Sequence, residues 1–203
     1  LSEAVALVNQ TGYGLTSGLE SLDEREWDYW KSHIRAGNLY INRVTTGAVV
    51  LRQPFGGMGK SGFGPGMKAG GPNYVAQFMD FKDVAGACVD GVPLTSTLAL
   101  LCGGLRARPQ EGDARIVAAA LSYERNQREE FGAEHDHFRL VGQDNVRRYL
   151  PVGSVRVRVH ANDTAFDVFA RACAAHVAGC GVVISTPPGL DSAAVQRLEE
   201  LTQ

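Results

Sequence analysis

The stretch Asp23-Glu24-Arg25-Glu26-Trp27-Asp28-Tyr29-Trp30-Lys31-Ser32-His33-Ile34-Arg35-Ala36-Gly37-Asn38-Leu39-Tyr40-Ile41-Asn42 decides the fold class. Asp23 followed three residues later by Glu26 is a capping box, which opens a helix by occupying its free N–H groups. Trp27, Trp30 and Ile34 then recur at three- and four-residue spacing, so one face of that helix is apolar. Gly37 reads as a left-handed C-terminal cap, and Asn38-Leu39-Tyr40-Ile41-Asn42 as a buried strand. Upstream, Ser2 caps a short helix through Val8, and Tyr13-Gly14 turns the chain into a strand at Leu15 to Leu19. Strand, helix, strand at this spacing is a β-α-β unit, and it implies a parallel sheet.

Downstream the periodicity stops. Residues 45–71 form one long glycine-rich loop system, a length that in compact domains is usually functional or disordered. The chain has 24 glycines, and they are densest here. Residues 74–84 alternate apolar and polar side chains, which predicts a strand over 76–83. Residues 85–112 shift to Gly, Pro, Thr and small side chains and read as a linker or docking segment between two units. Asp113 caps a helix reaching about Glu130, and 132–145 is polar loop. A second strand-helix-strand-helix run follows. Val155, Val157 and Val159 alternate with Arg156, Arg158 and His160 as in a half-exposed strand. Thr164 and Asp167 form a capping box over a helix with Ala165, Val168, Phe169, Ala172 and His176 on one stripe, closed by Gly179. Residues 181–184 form a short buried strand, and Asp191 or Ser192 caps a last helix. This order suits half of a Rossmann-like fold.

The totals bound the function. The 203 residues are 44% hydrophobic and 21% charged, with a net charge of −2. That is a globular composition with no electrostatic footprint for nucleic acid or an anionic membrane. No apolar run is long enough to span a bilayer. The four cysteines, Cys88, Cys102, Cys173 and Cys180, form no Cys-x-x-Cys pair, which favours a reducing, cytoplasmic setting. The start at Leu1 and the end at Gln203 are expected to be cuts in a longer protein.

Three motifs carry possible chemistry. Gly57-Met58-Gly59-Lys60-Ser61-Gly62 matches the dinucleotide fingerprint literally, yet no helix follows, and a P-loop would need glycine where Pro54 stands. Tight packing is the better reading. Glu134-His135-Asp136-His137 places two imidazoles as a metal site would, but no third ligand cluster accompanies them. Cys173 and Cys180 lie along or just past a helix, with no neighbour placed to lower a thiol pKa. The residues alone therefore define an α/β protein with a functional-looking glycine loop.

A resemblance goes further. Asn38-Leu39-Tyr40-Ile41-Asn42-Arg43, Thr45-Thr46-Gly47-Ala48-Val49-Val50 and Arg52-Gln53-Pro54-Phe55-Gly56-Gly57-Met58-Gly59-Lys60-Ser61-Gly62 resemble the C-terminal part of the aldehyde dehydrogenase superfamily. With residues 64–74 the match extends to the glutamate-semialdehyde dehydrogenase module of the proline utilization A family, which oxidises proline to glutamate using FAD and NAD. The resemblance implies that Gly47 and Ala48 offer backbone N–H groups to the substrate α-carboxylate and that Phe55 packs on its aliphatic chain. Family members can carry serine at the Ala48 position, adding a hydroxyl that is missing here. The family's catalytic cysteine, its glutamate base and its NAD-binding domain lie upstream of the matched region. None of the four cysteines has the nucleophile's context, so no catalytic, cofactor or metal residue is assigned and the chain alone is expected to be inactive.

The same resemblance divides the chain at 1–84 (the aldehyde dehydrogenase part, with an oligomerisation strand), 85–112 and 113–203. The last part is similar to the family's extra C-terminal domain, a partial, degenerate Rossmann-like unit. There Ser185 or Thr186 stands where a nucleotide-holding lysine is usual, so NAD is not expected to bind. The implied partners are glutamate semialdehyde and, in the parent, a second subunit. The alternative is a non-catalytic module for covering a cavity and for dimerisation.

Overall fold

The computed structural model describes residues 1–64, 67–82 and 91–202. Pro65, Gly66, Asp83 and Cys88, to which the sequence reading gave a place, lie outside them. The chain divides into two compact units. One comprises Leu1–Asp83 with His135–Arg147, and the other Val84–Glu134 with Arg148–Gln203.

In the first unit, α1 (Ser2–Gln10) leads into β1 (Tyr13–Gly14) and β2 (Thr16–Leu19), then α2 (Glu24–His33) and β3 (Asn38–Ile41). β2 pairs with β3 in parallel, Thr16 opposite Asn38 and Leu19 opposite Ile41. The expected β-α-β unit is therefore present. The Asp23 carboxylate caps α2 by accepting from the Arg25 N–H at 2.9 Å. The capping box is incomplete, because Glu26 accepts from the Ser21 hydroxyl instead. Trp30 and Ile34 face inward, join Val5, and pack against Leu19, Leu39 and Ile41. Burying such side chains is the main drive holding helix to strands.

Gly37 is not a left-handed cap. α2 ends at His33, and Ile34 is already extended at φ −71°, ψ 135°. Glycine is needed at 37 for another reason: a Cβ there would stand 1.8 Å from the Gly56 carbonyl oxygen. Two backbones touch at this point. A second short pairing, β1 antiparallel to β4 (Met58–Gly59), ties the glycine loop back to the start of the unit.

The strand expected over 76–83 does not form among the described residues. Val75–Phe78 is a single 3-10 turn, and residues 79–82 are irregular. Phe78 and Phe81 are 78% and 81% exposed. Alternation supplies the side chains of a strand, but a strand also needs a neighbour to take its N–H and C=O groups. No strand lies beside this segment among the described residues.

The second unit corrects the linker. Ser96–Ala107 is a 12-residue helix, α3, with Leu98, Leu101, Cys102 and Leu105 buried. These fall at positions i, i+3, i+4 and i+7, one apolar helix face. α3 packs on α4 (Asp113–Asn126) and α6 (Ala193–Thr202), and α4 on α5 (Ala165–Val177). Asp113 is the first residue of α4, preceded by Gly112 at φ 87°. The helix runs on through one wide turn at Gln127–Phe131. β5 (Ser154–Arg158) and β6 (Gly181–Ser185) pair in parallel on either side of α5. The Thr164–Asp167 capping box is complete. β6 is not fully buried, since Val183 is 44% exposed. The core of this unit centres on Phe169, Val168, Leu105 and Ile116.

One buried ion pair fixes the helices. Arg197 of α6 grips Asp113 with two hydrogen bonds of 2.8 and 2.7 Å, and also donates to the Arg108 carbonyl at 3.0 Å. The Arg197 guanidinium, followed by the Gln110 N–H, holds the Asp113 carboxyl below its ordinary range against the opposing effect of burial.

Candidate functional site

The glycine-rich loop leaves β3 and is braced from beneath. Tyr40, on β3, donates its hydroxyl to the Gly47 carbonyl at 2.9 Å. With its carboxamide turned so that both ends are satisfied, Gln53 donates to the same carbonyl at 3.2 Å and accepts from Arg43 at 2.6 Å. The Arg43 guanidinium lies over the Tyr40 ring at 5.4 Å, a cation–π contact. Gly47 has φ 108°, a backbone state closed to most side chains.

This bracing orients the next amide. No peptide bond among the described residues is cis, and in a trans peptide the N–H points opposite to the carbonyl. Two donors pull the Gly47 carbonyl toward Tyr40 and Gln53, so the Ala48 N–H points away from them. Gly47 and Ala48 are both exposed. Neither N–H donates to another group among the described residues. Exposed, unpaired backbone donors beside small side chains are the chemistry that holds an anion.

The loop continues through a strained turn. The Arg52 N–H donates to the Val50 carbonyl at 2.7 Å, closing a three-residue turn around Leu51 at φ 60°. That is a γ-turn of the uncommon, strained hand. The Leu51 N–H is held by the Gly70 carbonyl at 2.8 Å, and Val49 and Gln53 exchange backbone hydrogen bonds. Phe55 exchanges two more with Ala69, both 2.9 Å, which fixes its backbone while its ring is left 36% exposed.

Beneath Phe55 the loop is nailed to β3. Asn38 donates to the Pro54 carbonyl at 2.8 Å and accepts from the Gly56 N–H at 3.2 Å. The Lys68 ammonium donates to the Gly37 carbonyl, to the Gly56 carbonyl at 3.1 Å and to Asn38 at 3.3 Å. Its acceptors are neutral, and burial lowers its pKa to about 8. The unfolded lysine holds its proton up to its ordinary value of 10.5. Between those two values the unfolded state binds more protons, so stability rises with pH there and is lost again as pH falls through 8. Denaturation of the first unit at pH 7.5 and 9.5 should show this gain, and Lys68→Met should abolish it.

The other sequence motifs have structural duties. Lys60 donates to the Thr11 carbonyl at 3.1 Å and lies over the Tyr13 ring at 5.3 Å. A Cβ at Gly59 would stand 2.5 Å from the Gly12 carbonyl oxygen. Gly57 and Gly59 thus serve close packing. His135 and His137 stack at 6.0 Å, and no group of three metal-ligating side chains exists among the described residues. Cys102 and Cys173 are buried in the second core. Burial pushes both thiols up, Cys173 to about 12, which leaves them protonated and unreactive. No helix of the described residues is long and apolar enough to cross a membrane.

The sequence names Gly47, Ala48 and Phe55 as candidates, but not the brace of Tyr40, Gln53 and Arg43. Tyr40 was legible as a strand residue, and its hydroxyl needing a partner was the signal available.

Comparison with known proteins places the two halves differently. Residues 1–84 match the family model described as the aldehyde dehydrogenase family. A bifunctional protein PutA of Rhizobium meliloti is 53% identical over 79 residues, which is 39% of this chain and 6% of that protein. A 1-pyrroline-5-carboxylate dehydrogenase of Bacillus cytotoxicus is 44% identical over 79 residues, 39% of this chain and 15% of that protein. The solved structure of Proline Utilization A from Corynebacterium freiburgense aligns with 98% of this chain and 21% of its own, at 33% identity and a TM-score of 0.76. The chain thus spans a small part of the length of each of these relatives, and the resemblance in fold extends over both units.

Proposed function

We propose that residues 1–83 carry the substrate-carboxylate anchor of an aldehyde dehydrogenase acting on glutamate semialdehyde, within a cytoplasmic bifunctional enzyme that oxidises proline to glutamate. The observation that supports this reading most is the pair of unengaged N–H groups at Gly47 and Ala48, the second aimed outward by the braced Gly47 carbonyl. Neutral backbone donors suit a carboxylate, and small side chains let it come close. Alanine at 48 leaves the backbone donor alone to do this. Phe55 offers the aliphatic chain of the substrate a half-exposed ring on a fixed backbone.

Oxidation of the aldehyde needs a thiolate nucleophile and a hydride acceptor. The residues present do not fit NAD. Gly59 packs against the Gly12 carbonyl, and Gly57 against Ser61 of the same loop. At the end of β6 the Ser185 hydroxyl accepts from Arg158 at 2.9 Å, so that position is taken by the chain itself. In this reading NAD, FAD and the nucleophile belong to other parts of the parent. The second unit, with its parallel β5–β6 pair around α5, is the beginning of a degenerate Rossmann-like domain with a structural role. The exposed Phe78 and Phe81 segment becomes a subunit-joining strand when a partner supplies the missing ladder.

In the full-length parent, Phe55→Ala should raise KM for glutamate semialdehyde on the order of tenfold, through the loss of apolar contact. Proline oxidation should stay unchanged. An unaltered KM would remove Phe55 from the site. A second reading, a purely structural module, is favoured by the buried, protonated state of Cys102 and Cys173. It requires that Phe55→Ala change assembly and leave the kinetics alone.

A further inference from the structure

The segment His135–Arg147 reads as polar loop in the sequence, but it belongs to the first unit. It is a closed and organised loop. His135 and Arg147 exchange backbone hydrogen bonds of 2.9 and 2.8 Å at its base. At its centre the Asp136 carboxylate accepts from the N–H groups of Phe138, Arg139 and Asn145, at 3.0, 3.0 and 3.1 Å. What it presents to the glycine loop is a two-pronged acceptor. The Arg52 guanidinium donates to Asn145 Oδ1 at 3.3 Å and to Gln143 Oε1, and Gln143 donates to the same Asn145 oxygen at 3.2 Å. Asn145 is 7% exposed, and its Nδ2 meets no acceptor among the described residues. A buried amide that leaves its donor unsatisfied is held for its oxygen.

Arg52 closes the γ-turn at Leu51. That strained turn persists only where its surroundings over-determine it. Its backbone is held at Gly70, and its side chain by Gln143 and Asn145. We propose that His135–Arg147 is a strap whose Gln143 and Asn145 act as positioning residues. They grip Arg52, lock the turn at 50–52, and so keep the Gly47 and Ala48 donors in register for the substrate carboxylate. This rests on the reading of the loop as the anchor.

The test uses the full-length parent, with hydrogen exchange over residues 47–53 and steady-state kinetics. In Gln143→Ala/Asn145→Ala the loop amides should exchange faster. KM for glutamate semialdehyde should rise roughly tenfold with kcat unchanged, as expected when hydrogen bonds to a charged group are lost. Asn145→Asp alone, which keeps the acceptor of both Arg52 and the Gln143 amide and adds charge toward Arg52, should keep slow exchange and low KM. A merely structural loop would lower kcat and stability together and would not be spared by the acidic substitution. Unchanged exchange in the alanine variant overturns the strap. Faster exchange with unchanged KM for the semialdehyde overturns the link from strap to substrate, while the anchor reading is judged separately by Phe55→Ala.

Discussion

Asp113→Ala should cost the second unit roughly 3–5 kcal/mol, the usual penalty for breaking a buried ion pair on one side. The Asp113 and Arg197 side chains are 6% and 14% exposed, so removing the carboxylate leaves a largely covered guanidinium with the Arg108 carbonyl as its remaining partner. The first turn of α4 also loses the acceptor of the Gln110 N–H, 2.7 Å away. A domain is stable by about 5–15 kcal/mol, so the loss is a large share. The experiment has a built-in control. Both tryptophans, Trp27 and Trp30, lie in the first unit. In urea, the loss of helical circular dichroism should move to lower denaturant while the tryptophan transition stays in place. Asp113→Leu/Arg197→Met, which removes both charges, should recover much of the loss. If Asp113→Ala leaves the helical transition unmoved, the pair is a surface contact with little effect on stability. Acid should act in the same direction. The Asp113 carboxyl is held low in the fold, so its stabilisation is complete above the ordinary carboxylate range and is lost as pH falls through the lowered value.

Gly37→Ala should do to the first unit what Asp113→Ala does to the second. The added Cβ would lie 1.8 Å from the Gly56 oxygen and 2.9 Å from the Gly57 Cα, both backbone atoms with no rotamer to escape into. The 54–57 segment must lift from β3. It then loses the Asn38 hydrogen bonds to Pro54 and Gly56 and the Lys68 bridge between Gly37 and Gly56. Overpacking plus these hydrogen bonds should cost about 3 kcal/mol or more. Here the tryptophan transition should move and the helical transition should hold. Phe55 rides on the displaced segment, so KM in the parent should rise as well. Gly103→Ala is the control. It lies in α3 with nothing within 4 Å of the new Cβ, and should stabilise by up to about 1 kcal/mol through helix propensity. Equal effects of the two substitutions would mean that the Gly37–Gly56 approach is not a constraint.

Gly37 also shows where sequence reading stops. A glycine after a helical stripe has two physical explanations, a left-handed cap or a close approach. The second depends on Gly56, nineteen positions on, which nothing local announces. The β-α-β unit was legible because a capping aspartate and the Trp30–Ile34 spacing are local signals that tertiary packing did not override. α3 carried an equally local signal, apolar residues at 98, 101, 102 and 105. Its flanking threonines and Gly103-Gly104 looked like linker composition and hid it. The failed strand at 76–83 is the reverse case, a correct alternation without a neighbour to complete its hydrogen bonds. In the proposed site, Gly47, Ala48 and Phe55 were named by resemblance alone. The brace by Tyr40 and Gln53 is tertiary, and so is the grip on Arg52, which spans 91 and 93 positions of sequence.

That last span has a temporal meaning. A chain emerges from the ribosome at roughly 5–20 residues per second, and its earlier parts begin to fold first. β2, α2 and β3 can pair as soon as Asn42 is out, yet Arg52 meets its acceptors only when Gln143 and Asn145 arrive. For several seconds the nascent γ-turn at Leu51 has no side-chain grip, while α3 and α4 are being made in between. Closing so distant a contact is slow in any refolding experiment too. The loop at 45–55 should therefore be the last part of its unit to mature, well after Trp30 is buried.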